Sequence, residues 1–416
     1  MSLQQLDDAP VAANATASVA AWHEAWADTV HFVRDPFATL ADANADDERF
    51  AMGSIYCATY RILGGSQLDA AELSTDLERA RRRVTSEREV QHFEALNQLA
   101  SGNFSNAAQL WDAIPGGDFA AVRFAHDTYL HIGEVDHRVA SSERALAHFD
   151  PTETRPYVAS QHAFALEEAG QYDEAEAIAW SSLDTDPMEL WALHALAHVY
   201  ESTDDQDAAI ALLEGRADTW TAQDGLAIHI HWHHALRMIV AGEHERALAL
   251  FDQVEPEATT PFRLSDVASL LWRLEHAGAD VGDRWNIVAD RLAVRPERHA
   301  SGFLDLHMAL AFQRVPHHDE ATTFFAGVAD AHTDDDSENG DIFRTIVTPL
   351  VEAIRLVGSD PAQSASLIDS VAERSYRIGG SIAQRDLITI TRNALDPHIL
   401  DPHILDPQIA STQETP

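Results

Sequence analysis

Lysine is missing from all 416 residues, so the 28 basic side chains are all arginine. That absence excludes Schiff-base chemistry and a lysine-dependent phosphate loop. Cysteine is almost missing as well. Cys57 stands alone, which rules out an intrachain disulfide and a cysteine-based zinc cluster. No apolar run approaches the ~18 residues of a membrane helix, and the acidic N-terminus lacks a signal peptide's charged start. A soluble, cytoplasmic protein without a membrane partner is the expectation. Positive charge is scarce overall: 28 basic residues face 68 acidic ones, a formal net charge of −40. Nucleic acid needs a positive stripe, and the single basic cluster, Arg79 with Arg81, Arg82 and Arg83, reads as a solvated helix end.

What is present fits an acidic, halophilic-type surface. An aspartate-rich, lysine-free coat suits a cytosol of very high salt, where like-charge repulsion is screened within roughly 3 Å at 1 M. The acidity solvates the whole surface and is no docking patch for a basic partner. Alanine, leucine, glutamate and arginine are abundant and β-branched runs are scarce, so the chain reads as all-α. Its length exceeds one compact core, but a helical array in which each repeat packs on its neighbours avoids that limit.

Along the chain, residues 1–18 are small and polar and read as a disordered N-terminus. Apolar spacing starts a helix near Val19, with Trp22, Trp26, Val30 and Val33 on one face. A second helix spans Arg49–Leu63 and ends at Gly64-Gly65; Ser86-Glu-Arg-Glu89 is a capping box. Asp186-Pro187-Met-Glu189 combines an N-cap aspartate, an N1 proline and an N3 glutamate, and predicts a helix starting there. Later helices are expected at 264–277, 282–294, 303–312, 319–331 and 343–357, with an acidic loop over 331–340. The sequence Asp-Pro-His-Ile-Leu occurs at 396–400 and again at 401–405, and proline every fifth residue defeats a helix, so 395–416 reads as a disordered tail.

Between these ends five turns recur, at Gly102, Gly133, Gly170, Asp204 and Gly242, spaced 31, 37, 34 and 38 residues apart. Each is followed by a small-residue helix. Gly170-Gln-Tyr-Asp-Glu-Ala175 resembles the turn of a tetratricopeptide repeat, in which glycine ends the first helix and alanine lets the second pack closely. The best units cover about 88–255. The fold expected for 19–394 is therefore an α-α superhelix, a right-handed solenoid of tetratricopeptide-like hairpins.

Two of these hairpins carry paired histidines. His194 and His198 are four residues apart, as are His229 and His233, so each pair shares one helix face. The 35 residues from His194 to His229 are about one repeat, so neighbouring first helices could present both pairs to one space.

Longer matches carry a resemblance to the tetratricopeptide repeat protein 38 family, from about Asp46 to Ile388. They are Arg123-Phe-Ala-His126-Asp127-Thr-Tyr129, Trp191-x-x-His194-x-x-Ala-His198-x-x-Glu201 and His229-x-x-Trp232-His233-x-Ala-Leu236. Asp266-x-x-Ser269-x-Leu-x-Arg273, Asp305-x-His307 and Gly379-Gly-Ser-x-Ala-Gln384-Arg385-Asp386 follow. The chain departs from the family at Ser54, where the resemblance leads one to expect histidine. The resemblance implies a helical-repeat solenoid and little chemistry. In such repeats the second, fifth and ninth positions of the first helix line the concave groove. That count puts His194 fifth, His198 ninth and His229 second.

Three uses of these residues compete with plain packing, in which each imidazole donates to a carbonyl or carboxylate. The pairs could hold a divalent transition metal, zinc or iron, at His194, His198, His229 and His233, with Glu201 or Asp127 in support. A histidine beside Asp127, Asp305 or Glu201 could act in metal-free acid–base chemistry, which together with the metal site makes the enzyme alternative. Or the groove could bind a small molecule, a peptide or a protein partner. Its walls would be Trp191, Trp232, Tyr129 and the histidines His126 and His307, with Arg385 for an anionic group. The binding role is the main expectation. For the charge reading, the melting temperature should rise by roughly 10 °C between 0.1 M and 2 M KCl as self-repulsion is screened, measured by circular dichroism.

Overall fold

A computed structural model of the chain describes residues 6–7, 9–67, 70–115, 117–149, 154–219 and 225–395. The duplicated Asp-Pro-His-Ile-Leu tail lies outside the described residues. Every regular element described is helical, and the helices follow one another as hairpins. They fall into two compact units, the described parts of Met1–Leu130 with Glu134–Ala227, and of His131–Gly133 with Ile228–Pro416.

The first unit holds α1 (Thr16–His31), α2 (Pro36–Asp46), α3 (Ala51–Leu63), α4 (Ala71–Arg83), α5 (Glu87–Ala100) and α6 (Phe104–Asp112). It continues through α7 (Phe119–His131), α8 (Val135–Leu146), α9 (Arg155–Glu168), α10 (Tyr172–Thr185), α11 (Leu190–Ser202) and α12 (Gln206–Gly215). The second holds α13 (Ala227–Val240), α14 (His244–Val254), α15 (Pro261–His276), α16 (Arg284–Ala293) and α17 (Gly302–Arg314). It ends with α18 (Asp319–Asp330), α19 (Glu338–Ile342), α20 (Thr348–Leu356), α21 (Pro361–Val371) and α22 (Ile382–Leu395).

The repeated turns have one physical cause. Gly102, Gly133, Gly170, Asp204 and Gly242 all adopt left-handed backbone, with φ between 56° and 75°. In each, the next residue donates its N–H back across the turn, as Gln171 does to the Leu166 carbonyl and Asp205 to that of Tyr200. This closes the first helix and turns the chain into the second. Asp204 takes the left-handed site without glycine, which aspartate tolerates better than most residues. A sixth such turn, at Gly278 between α15 and α16, follows that of Gly242 within the second unit.

Two helix starts differ from their local signals. Asp186-Pro187 does not open α11, which begins at Leu190. The Asp186 carboxylate instead accepts from the Tyr157 hydroxyl and the Met188 N–H, and Glu189 is drawn inward to accept from Ser160. Tertiary partners outbid the N-cap. At the other end of the unit, α1 begins at Thr16, and its N-cap Ala15 has no capping side chain. Asp47 supplies the acceptor, taking the N–H groups of Asn14 and Ala15 and the Ser18 hydroxyl at 2.8–3.1 Å. The Ser86 capping box is as read from sequence. In the second unit the helix expected over 343–357 is present, continuous with α19 through a π turn at Phe343–Val347 that leads into α20. Pro349 follows, and it has no N–H to return to the preceding turn.

Helix α1 is more than an end cap of the first unit. Trp22 and Trp26 are fully buried. Trp26 meets Tyr56 of α3 edge-on at 5.1 Å and Phe119 of α7 at 5.3 Å. Beyond its last turn Phe32 stacks on Trp191 of α11 at 6.1 Å. So α1 and the residue after it touch the first helices of three hairpins of the unit, α3, α7 and α11. Trp26→Ala should cost about 3–5 kcal/mol of stability, read by urea denaturation, and should weaken contacts on α3 and α7 together.

Candidate functional site

In the first unit the site is built on α9 and α11, neighbouring first helices that pack side by side. A four-residue step sets His194 and His198 one above the other on α11, and their Nε2 atoms converge to 3.0 Å. Both are buried, at 2 % and 1 % exposure. The Phe164 ring of α9 lies against both imidazoles, 5.0 and 4.9 Å between centroids. The other edge of His198 faces a carboxylate, with Nδ1 3.6 Å from Glu167 Oε2. Glu167 Oε1 accepts from the Ser202 hydroxyl at 2.7 Å, whereas Oε2 has no hydrogen-bond partner. Glu167, Glu168 and His198 each bring a ligand-type atom within 4.8 Å of the others, all three buried.

Burial pushes the Glu167 carboxyl well above the usual carboxylate range, and the neighbouring Glu168 adds to the rise. Arg138 is also buried here, with its guanidinium over the Phe164 ring at 4.8 Å. Burial pulls Arg138 down to about 10, against the pull of Glu168 and Asp127.

The second unit repeats the motif on α13. His229 Nδ1 lies 3.1 Å from Asp266 Oδ1 of α15, and its ring stacks on Trp232 with 5.2 Å between centroids. His233 follows one turn on, its ring 4.8 Å from that of His229. Arg273 sits over Trp232 at 5.5 Å and is held by Ser269, Asp386 and the Ala383 carbonyl. Burial holds His233 well below the ordinary histidine range, with His229 and the cations of Arg237 and Arg273 adding to the effect. His307 is buried nearby, Nδ1 on the Phe303 carbonyl at 2.8 Å, and burial pulls it down to about 4. Each His-x-x-x-His pair thus has a carboxylate at the Nδ1 of one member: Glu167 in one unit, Asp266 in the other.

The remaining residues singled out in the sequence are occupied elsewhere. His126 is buried against the Ser141 hydroxyl at 3.1 Å. Asp127 accepts from Tyr60 and Arg123. Tyr129 is buried and stacked on His137 at 5.4 Å. Trp191, half-buried, lies between Phe32 and His194, and its indole N–H donates to the Gln161 amide oxygen at 2.8 Å. Asp305 is fully buried and caps His299, accepting from its backbone N–H and facing its Nδ1, both at 2.8 Å. Arg385 donates to the Gly380 carbonyl, and Glu201 is half-buried near the end of α11. Ser54 is buried beside Asn44.

Glu167, Glu168 and Asp266 were missed as site residues. The first two carried a readable signal: adjacent carboxylates at a helix C-terminus oppose the helix dipole and call for a compensating partner. Asp266 stood in a matched motif, but no local spacing joined it to His229.

No known protein family matches the chain. Among solved structures it is similar to NprR, in the crystal structure of NprR in complex with its cognate peptide NprX. The two share 10 % identity with a TM-score of 0.34, over 83 % of this chain and 98 % of that one. Among the described residues no helix is long and apolar enough to cross a membrane.

His307 is expected to stay neutral until the pH falls to about 4, so its Cε1–H resonance should not shift between pH 8 and 5.5. Because its folded pKa lies below the unfolded one, it contributes stability above pH 6.5 that is lost as the pH falls towards 4.

Proposed function

We propose that this helical-repeat protein binds a divalent transition metal through its His-x-x-x-His pairs, with zinc or ferrous iron the best match to imidazole ligands. The observation that carries the reading is the convergence of the His194 and His198 Nε2 atoms at 3.0 Å in a buried setting. Two imidazoles on one tetrahedral zinc hold their nitrogens about 3.3 Å apart, so a small outward rotation of the rings admits the ion. Glu167 behind His198, and Asp266 behind His229, take the part of carboxylates that fix a ligand ring and raise its basicity. Plain packing explains this less well, since apolar side chains fill such positions without needing partners.

An ion suits these centres better than a peptide or larger molecule. The aromatic side chains that would grip a larger ligand are already engaged: Trp191 under Phe32, Tyr129 on His137 and Trp232 beneath Arg273. The low pKa expected for His233 also favours the neutral ring that coordinates metal.

Metal analysis of protein purified in high salt without chelator should find zinc or iron bound. After stripping, Co²⁺ should restore a tetrahedral visible spectrum. His194→Ala and His198→Ala should each abolish that spectrum or weaken affinity by more than 100-fold, and Glu167→Gln should weaken it about 10–100-fold. A chain that carries no transition metal and gives no cobalt spectrum at millimolar Co²⁺ would falsify the reading.

A further inference from the structure

His194 and His198 are buried, so an ion reaches them only when some part of their cover moves. On the α1 side the cover is Trp191, whose ring lies 4.8 Å from that of His194. Phe32 holds that indole down, nearly parallel to it, with 18° between the planes. Phe32 is itself strained: its φ is 56°, in the left-handed region that a bulky side chain avoids. Two contacts retain it there, the stack on Trp191 and the Gly225 N–H donated to its carbonyl at 2.6 Å.

The residue before it titrates. His31 Nδ1 donates to the Ala27 carbonyl at 2.8 Å. Its Nε2 lies 3.0 Å from the Tyr157 hydroxyl and 3.4 Å from Asp186 Oδ2, to which Tyr157 donates at 2.9 Å. Both ring nitrogens therefore face acceptors, and only the protonated ring can donate to both. Losing that proton turns Nε2 into a lone pair aimed at a carboxylate. Glu189 of the same corner acts in the same direction. It is buried, its Oε1 accepts from Ser160 at 2.7 Å, and its Oε2 has no hydrogen-bond partner. Its ionised form is poorly satisfied. The groups facing this corner are Asp186, Tyr157 and Glu189 around His31, and His31, Asp186, Ser160 and Arg123 around Glu189. Once His31 is neutral, Asp186 and Glu189 repel across an uncharged ring, with Arg123 engaged by Asp127.

We propose that Phe32, with the His31–Tyr157–Asp186 group, is a pH-dependent latch over Trp191 that controls metal entry to His194 and His198. The inference rests on the metal reading of that pair. The hydrogen bond to Asp186 holds the His31 pKa up, and burial pushes Glu189 up to about 7. For both groups the folded pKa lies above the unfolded one. The stability they lend the latch is therefore full at low pH and is lost as the pH rises, through about 7 for Glu189 and through the raised value of His31.

The test uses the full chain stripped of metal. Hydrogen exchange of the amides of residues 29–33 and 191–195, corrected for the intrinsic pH dependence, is compared at pH 6 and pH 8. Protection should fall about tenfold in the natural chain and by a smaller factor in Glu189→Gln, where His31 still titrates but Glu189 does not. Phe32→Ala should be open at both pH values. The rate of Co²⁺ uptake should rise more between pH 6 and 8 in the natural chain than in Glu189→Gln, which keeps both ligand histidines. Unchanged protection overturns the latch. Reduced protection with equal uptake ratios in the two proteins overturns its control of entry. Reduced protection with no cobalt bound by any variant removes the metal reading and leaves the opening of α1 standing, so the two failures are separable.

Discussion

A single backbone state, the left-handed residue that closes each first helix, underlies the arrangement of the candidate site. It ends α9 at Gly170 and α11 at Asp204, and returns the chain through α10 and α12. First helices of successive hairpins then lie side by side, so α9 packs on α11. That adjacency brings Glu167, near the end of one, to His198, near the end of the next. Without the turn at Gly170 the two groups have no reason to meet. The chemistry is a consequence of where the helices stop.

Burial then decides what these groups can be. The chain carries a formal charge of −40, yet Arg123, Arg138, Arg273 and Arg385 are all buried. A buried guanidinium must find acceptors, and three of these find them among carboxylates or backbone carbonyls of their own unit. Glu167 finds one hydroxyl and an imidazole edge. Two adjacent acids at the negative end of a helix dipole and inside a protein are costly in isolation. The buried Arg138 guanidinium acts on both, and Glu167 still keeps one oxygen without a hydrogen-bond partner. The same logic separates Asp305, whose carboxylate is fully used in holding His299, from Glu167, one of whose oxygens has no hydrogen-bond partner.

Much of this was legible from sequence, for reasons that differ by element. The hairpin turns were readable because φ > 0 demands glycine or a tolerant aspartate at one position, and five such positions recurred at repeat spacing. The i,i+4 pairing of His194 with His198 was readable because helix geometry alone sets it. Helix starts fared worse wherever tertiary partners competed with the local cap. Asp186 looked like an N-cap, but Tyr157 and His31 claim its carboxylate. Ala15 carried no signal at all, because its cap comes from Asp47. The pairing of His31 with Asp186 joins positions 155 residues apart, and nothing local could have suggested it.

The same limit explains why the groove reading was incomplete. Repeat grammar assigns second, fifth and ninth positions of a first helix to an open face, assuming that nothing else covers it. Here α1 crosses that side of its unit, burying Trp22 and Trp26 and setting Phe32 on Trp191. An amphipathic helix with two tryptophans on one face must bury them somewhere, and stacked first helices offer the nearest apolar surface. The position count is silent about any such occupant. The end of α1 meets these first helices at Trp191. That end is a strained aromatic beside a titrating histidine, one indole away from the paired imidazoles.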